Sequence, residues 1–306
     1  MPRAVQLDEY GGLDVLTVRD VEIREPGKEE VVVEVKAAGI NPGEASIRSG
    51  ALRDRFPATF PSGEGSDLAG VVKEVGIDVV GFAPGDEVLG WSEERSSHAE
   101  LCVVPAEQLI AKPADLSWEA AGSLFVVGVT AFAAVRAVDI SEGDVVVVSA
   151  AAGGVGAITV QLLKVRGAEV IGLASEDHHD WLRSKGAIPV TYGEGAAQRI
   201  LEATPRGIDA FIDLFGPEYI DLALELDVPA EKIETIISWE RAGEVGAKTE
   251  GSSDASTPEV LGEMAELVAT GKIEVPIAAT YPLEEVREAF EQLEDRHTLG
   301  KIVLLP

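Results

Sequence analysis

The sequence predicts two architectures in one chain: a mainly-β, barrel-like domain and, inserted into it, an α/β domain built on a doubly wound parallel sheet. Three observations carry this. The chain has 306 residues, enough for two domains. Residues 1–115 hold short β-branched runs separated by glycines, the texture of a barrel or sandwich. From Asp144 onward, strand-like and helix-like segments alternate, as they do when helices cover both faces of a parallel sheet.

In the N-terminal part, Val31–Val35 and Val71–Val75 read as strands bounded by Gly, Pro or charges. Gly85–Gly90 reads as a turn feeding another strand, and Leu101–Val104 as a further one. The texture changes near residue 118, where the Ala-rich run Trp118–Val138 predicts one helix between the domains. Val145–Ser149 is nearly all valine, as expected of a strand buried on both faces. Ala157–Arg166 predicts a helix stopped by Gly167, Glu169–Ala174 a second strand, and Asp177–Lys185 a helix followed by Gly186. Ile208–Leu214 and Ile233–Ser238 predict two more strands. Glu274–Thr280 reads as a strand, and Pro282 opens a helix whose Leu283, Val286, Ala289, Phe290 and Leu293 share one face. Lys301–Leu305 closes as a strand. The expected division is residues 1–120 with 270–306 for the first domain and 121–269 for the second.

Composition narrows the function. There are 54 acidic and 25 basic residues, a net charge of −29. The acidic residues are spread along the chain and are not collected in a tail. Such a surface keeps a protein in solution, suits a high-salt environment, and repels phosphate backbones and anionic membranes, so no nucleic-acid or membrane partner is expected. Cys102 is the single cysteine, which excludes an intrachain disulfide and a Cys-rich zinc site. A reducing cytoplasm fits, and the first residues lack the apolar segment of a signal peptide.

The motif that carries chemistry follows the all-valine strand. Ala150-Ala151-Ala152-Gly153-Gly154-Val155-Gly156 leads from that strand into a helix, and Ala151, Gly153 and Gly156 occupy the marked positions of the G-x-G-x-x-G dinucleotide-binding turn. Gly153 lets the backbone approach a pyrophosphate and Gly156 lets the helix pack closely on the strand. The helix N-terminus offers free N–H groups to the phosphates. NAD-specific turns usually place an acid at the end of the second strand to bind the ribose 2′-OH. Here Ala174 stands there, with Ser175 as a neutral donor, which favours NADPH. Glu176 and Asp177, next in the chain, oppose it.

With these residues placed, the chain resembles the medium-chain dehydrogenase/reductase superfamily, and within it the zinc-free quinone oxidoreductase, or zeta-crystallin-like, branch. The resemblance runs nearly end to end, through KAAGINPGEASIRSG (36–50), GSDLAGVVKEVG (65–76), FAPGDEVLG (82–90), HAELCVVP (98–105), VTAFAAV (129–135), the glycine turn, LASEDHHDWLRSKGA (173–187) and HTLGKIVLLP (297–306). It implies a GroES-like catalytic barrel, an inserted Rossmann-type NADP-binding domain and a homodimer. Zinc members carry a Cys where this chain has Asn41, and a His-Glu pair where it has Ser66-Asp67, so no zinc is expected. The resemblance further implies that Asn41 lies near the nicotinamide and helps hold a small-molecule acceptor by donating from its amide. Glu44 is a candidate proton relay, or else a helix-N-terminal carboxylate. Thr130 matches a residue on the nicotinamide side of the cofactor and Tyr192 one near the 2′-phosphate. Phe215 and Gly216, at the end of the strand Ile208–Leu214, and Ser238 with Trp239, at the end of the strand Ile233–Ser238, are expected along the crevice at the carboxyl ends of the strands. A Tyr found in many relatives just after the segment matching Arg48-Ser49-Gly50 is absent: Ala51-Leu52 stand there. The readings left open are an NADPH-dependent quinone reductase, an alkenal or enone (enoyl) reductase, and a cofactor-binding protein with little turnover.

Overall fold

The valine-rich runs become strands because each has one or both faces to bury. The computed structural model describes residues 1–306. Its elements begin with β1 (Arg3–Leu7), β2 (Thr17–Asp20), β3 (Glu30–Gly39), α1 (Pro42–Arg48), β4 (Ser62–Gly63), β5 (Asp67–Val75), β6 (Glu87–Trp91), β7 (Leu101–Pro105) and β8 (Leu109–Ala111). Then come α2 (Trp118–Ala121), α3 (Phe125–Ala137), β9 (Val145–Val148), α4 (Gly154–Val165), β10 (Glu169–Ala174), α5 (His179–Ser184), β11 (Ile188–Thr191) and α6 (Ala196–Ala203). The chain ends through β12 (Ala210–Asp213), α7 (Pro217–Glu225), β13 (Ile233–Thr235), α8 (Trp239–Val245), α9 (Pro258–Ala269), β14 (Ile277–Pro282), α10 (Val286–Glu294) and β15 (Lys301–Leu305). No helix is long and apolar enough to cross a membrane.

Two compact units result. The first is Met1–Val126, Thr257–Ala269 and Ile277–Pro306, and the second Val127–Ser256 with Thr270–Pro276. The division at 126/127 falls inside α3, six residues beyond the expected position. Helix α9 groups with the first unit because its buried Leu261, Met264 and Ala265 belong to a face packed on β8.

In the first unit, a seven-stranded sheet runs β14-β15-β3-β5-β6-β8, with β7 paired to β3. Strand β3 is long enough to pair with β7 over Glu30–Glu34 and with β15 at Ala38 and Gly39, and a register shift against β5 at Val35/Ala37 falls between those stretches. One core collects Val31, Val33, Val72 and Cys102, and burial pushes the Cys102 thiol up to about 11. A second core lies under α10, where Leu283, Val286, Ala289 and Phe290 are buried as the periodicity predicts and Leu293 packs against them. The expected helix over 118–138 is two helices. Gly122 is pressed onto β3: its carbonyl accepts the Gly39 N–H at 2.6 Å, and a Cβ there would sit 2.3 Å from the Ala37 carbonyl oxygen. The chain turns at that contact and restarts as α3.

The second unit is a five-stranded parallel sheet in the order β11-β10-β9-β12-β13, with the first strand at its centre. All four valines of β9 are buried. The direction of winding reverses at β9, so the ligand crevice of this topology lies beyond the carboxyl ends of β9, β10 and β12. Two strand ends differ from the expected ones. Strand β13 stops at Thr235 because the Thr235 hydroxyl accepts the N–H groups of Ile237 and Ser238, turning the chain into α8. Glu274 is no strand residue, since its backbone N–H and C=O both bond the side-chain amide of Gln161.

Strand β13 also buries Glu234, whose two carboxylate oxygens have no hydrogen-bond partner. Burial, with Glu250 and Asp254 of the same sign nearby, pushes its pKa up to about 8. The folded state therefore binds a proton that the unfolded chain releases near the ordinary carboxylate range, so stability falls as pH rises from there toward 8. Glu234→Gln is expected to match the parent Tm near pH 5 and exceed it by several degrees at pH 9. Parallel melting curves across that range check this.

Candidate functional site

The turn after β9 is shaped by close contacts. Ala150 takes a left-handed conformation with φ +46°, a costly one for alanine. Ala151 N–H then bonds the Leu173 carbonyl, tying the turn to β10, and Gly153 N–H bonds the Ala150 carbonyl. Gly156 is buried against this turn, and a Cβ there would lie 2.1 Å from the Ala150 oxygen, so that position accepts only glycine. At Gly153 a Cβ would meet just one atom within 4 Å, the Ala150 oxygen at 3.3 Å. Gly153 is the N-cap of α4, with no side-chain cap, and the first intrahelical bond is Ala157 N–H to Gly153 O. The N–H groups of Gly154, Val155 and Gly156 are first-turn donors with no acceptor inside α4. Ala152 is buried beneath them. This is an open cradle with converging amides at the positive end of a helix, and it fits a diphosphate.

The same end of the sheet is held by a residue that sequence reasoning missed. Asp213, fully buried at the end of β12, has no cation partner. Its carboxylate accepts from Ser149 Oγ at 3.0 Å, Thr235 Oγ1 at 2.7 Å, Ser238 Oγ at 3.1 Å, Phe215 N at 2.9 Å and Gly216 N at 3.1 Å. These donors tie together the chain after β9, β12 and β13. Ser238, expected as a ligand contact, spends its hydroxyl on Asp213 and is the N-cap of α8, not a strand end. Phe215 is exposed and meets Tyr219 edge-on at 5.8 Å. Beside it, Pro217, Ile237, Ser238, Trp239, Arg241 and Glu244 line an open groove of about 420 Å³. Ala174 is buried at the end of β10, Ser175 follows half-buried, and Tyr192 is exposed just after β11. Thr130 is buried on α3.

In the first unit, Asn41, Glu44, Asp67, His98 and Lys301 form a buried polar cluster. Asn41 precedes α1, and Glu44 in its first turn accepts the Asn41 backbone N–H at 2.9 Å and the Ser66 N–H at 2.9 Å. Asn41 Nδ2 donates to Glu44 Oε1 at 3.1 Å and to Asp67 Oδ2 at 3.0 Å, and its Oδ1 accepts from Lys301 Nζ at 2.5 Å. Both amide hydrogens are thereby engaged. Glu44 is the helix-end carboxylate, held by three N–H bonds. Asp67 further accepts Val126 N–H at 2.7 Å and Lys301 Nζ at 3.2 Å, and the ammonium also bonds the Ile40 carbonyl at 2.9 Å. His98 stands 3.9 Å from Glu44, and burial lowers its pKa, which leaves it neutral. Arg48 is buried over the Phe290 ring and paired with Glu64 and Glu294. Burial, with Glu44 close by, pushes Glu64 up to about 8 despite Arg48.

Comparison with known proteins places this geometry. A family model described as the alcohol dehydrogenase GroES-like domain matches residues 27–114, and one described as zinc-binding dehydrogenase matches residues 186–304. The quinone oxidoreductase of Pseudomonas aeruginosa is 32% identical over 330 residues, covering 100% of both chains. Among solved structures, the quinone oxidoreductase from Coxiella burnetii superposes with a TM-score of 0.89 at 30% identity, covering 100% of this chain and 99% of that one. An NAD-dependent alcohol dehydrogenase superposes with a TM-score of 0.88 at 29% identity, covering 99% of each chain. The fold is thus a GroES-like domain combined with a Rossmann-type parallel sheet. The chain belongs to the medium-chain dehydrogenase/reductase family, in its quinone oxidoreductase branch, and is an oxidoreductase.

The Lys301–Asp67 pair is buried at both ends. Lys301→Met leaves a carboxylate without its counter-charge and is expected to cost about 3–5 kcal/mol of stability. Adding Asp67→Asn should recover part of that loss, giving a coupling on the order of 1–3 kcal/mol in a double-mutant cycle measured by urea unfolding.

Proposed function

We propose that the protein is an NADPH-dependent, metal-free reductase of quinones or related activated acceptors. The observation that carries this reading is the glycine turn at the start of α4, where three N–H groups have no acceptor inside the helix and a Cβ on Gly153 would meet a single atom within 4 Å. When bound, the nicotinamide supplies the hydride. The chain supplies binding and orientation: the Gly154, Val155 and Gly156 amides hold the diphosphate, and Ala174, Ser175 and Tyr192 receive the ribose end. Phe215, Gly216 and the groove beside Trp239 extend that face of the second unit.

The preference for NADPH rests on Ala174. An acid there binds a free 2′-OH and repels a 2′-phosphate, and alanine does neither. The metal-free part rests on Lys301. The side chains standing where zinc relatives carry their Cys and His-Glu are Asn41, Ser66 and Asp67, and an ammonium group already lies within 3.2 Å of Asn41 Oδ1 and Asp67 Oδ2. A neutral amide, a hydroxyl and a carboxylate engaged with a cation do not fit zinc. Asn41 and Glu44 are assigned no step with the acceptor, since their polar atoms bond one another, Ser66, Asp67 and Lys301. Reduction of an alkenal, enone or enoyl thioester uses the same cofactor face and differs only in the acceptor.

The direct test is NADPH consumption with a panel of quinones, enones and enoyl thioesters. Turnover is expected with a simple benzoquinone, and none with any acceptor would overturn the reading. Gly153→Val should weaken NADPH binding by at least about tenfold while leaving Tm within a few degrees, because its Cβ has room in the fold but stands between a diphosphate and the amides. Fluorescence titration and a melting curve on the same sample check both halves.

Ala174→Asp supplies the separate test of cofactor choice. The parent is expected to favour NADPH over NADH in kcat/KM, and the variant to lose that preference by a factor on the order of ten or more. Equal values for the two cofactors in the parent would instead make Glu176 and Asp177 the dominant charges at this strand end.

A further inference from the structure

A cation sits beside the ribose end of the crevice where no local sequence pattern announces one. Strand β11 ends level with β10, Thr191 being the register partner of Ala174. The chain then turns through Tyr192, Gly193, Glu194 and Gly195 into α6, with left-handed glycines at Gly193 (φ +88°) and Gly195 (φ +75°). Four successive carbonyls of this turn point at one guanidinium. Arg199 Nε and Nη2 donate to Thr191 O at 3.0 and 2.8 Å, Nη2 also to Tyr192 O at 3.2 Å and Gly193 O at 3.5 Å, and Nη1 to Glu194 O at 2.9 Å.

Two features set this residue apart. Its bonds all go to carbonyls and none to a carboxylate, so in a chain of net charge −29 its charge is not neutralised by an ion pair. Its grip also spans the backbone on both sides of Tyr192, which fixes the path of the main chain from which that exposed side chain projects. Neighbouring parallel strands lie about 4.8 Å apart, so the guanidinium is roughly one Debye length from the end of β10 at physiological salt. The fixed charges closest in sequence to that strand end are Glu176 and Asp177, both exposed and both negative. A 2′-phosphate arriving beside Ala174 therefore needs an opposing cation.

We infer that Arg199 is the specificity-determining cation for NADPH: it holds the 191–194 turn so that Tyr192 faces the 2′-phosphate, and its charge offsets Glu176 and Asp177. This rests on the NADPH reading above. It acts through the turn and is a positioning residue, so its effect must appear in the ratio of cofactor affinities and not merely in their size.

Dissociation constants for NADPH and NADH, measured by fluorescence titration on the full-length protein, Arg199→Gln and Arg199→Lys, test it. The parent is expected to prefer NADPH. Arg199→Gln should cut that preference about tenfold, through weaker NADPH binding and with NADH affinity within about twofold of the parent. Arg199→Lys, which keeps the charge but cannot reach four carbonyls, should fall between the two. Bound NADH also reports that each variant is folded. A loss shared equally by both cofactors, leaving the ratio unchanged, would make Arg199 a support of the turn only and overturn the inference. A parent with no NADPH preference would overturn the cofactor reading itself, before either variant is compared.

Discussion

A carboxylate taken out of water must be met on its free sides by donors, and two such groups organise this molecule. Asp67 gathers Asn41, Lys301 and the first turn of α3, and so joins β5, β15 and the starts of two helices in the first unit. Asp213 gathers three hydroxyls and two backbone amides, and so sets the spacing of the strand ends in the second. Neither can be left half-satisfied, because an unpaired buried charge costs several kcal/mol. Asp67 draws on a lysine, whereas Asp213 is held by neutral dipoles alone.

Much of the fold was legible in the sequence because it follows local rules. All-valine β9, the glycine turn and the alternation after residue 144 are set by burial on two faces, by φ and by helix periodicity, and each acts over a few residues. The misplaced features depend on contacts between distant segments. Helix α2 stops because Gly122 meets Ala37 across the fold, and β14 starts late because Gln161 captures the Glu274 backbone. No pattern around residue 122 or 274 contains that information. The boundary of the units is of the same kind, since only its packing partner decides where α9 belongs.

The site divides along the same line. The turn Ala152–Gly156 and the strand end at Ala174 and Ser175 could be placed from the sequence because each is a contiguous local motif. The role of Asn41 was not readable, since its neighbours Asp67 and Lys301 lie 26 and 260 positions away. Asparagine suits a substrate donor and a buried linker equally well, and the residue alone names no partner. Arg199 escaped for a similar reason: it is an ordinary helix residue until the preceding turn folds its carbonyls over it. One signal was present for Lys301. An ammonium at the head of the apolar strand Lys301–Leu305 is expensive to bury unless something anionic waits for it, so the position asks for a buried acid elsewhere in the chain.

The state of Cys102 has a bearing on what the protein tolerates. Quinones and enones are electrophiles that alkylate thiols, and they do so through the thiolate at positions they can reach. The chain's only cysteine is buried in the β3–β5–β7 core, and burial pushes its thiol up to about 11, so at neutral pH it is protonated and shielded. The protein therefore presents no accessible cysteine thiolate to electrophiles of this kind.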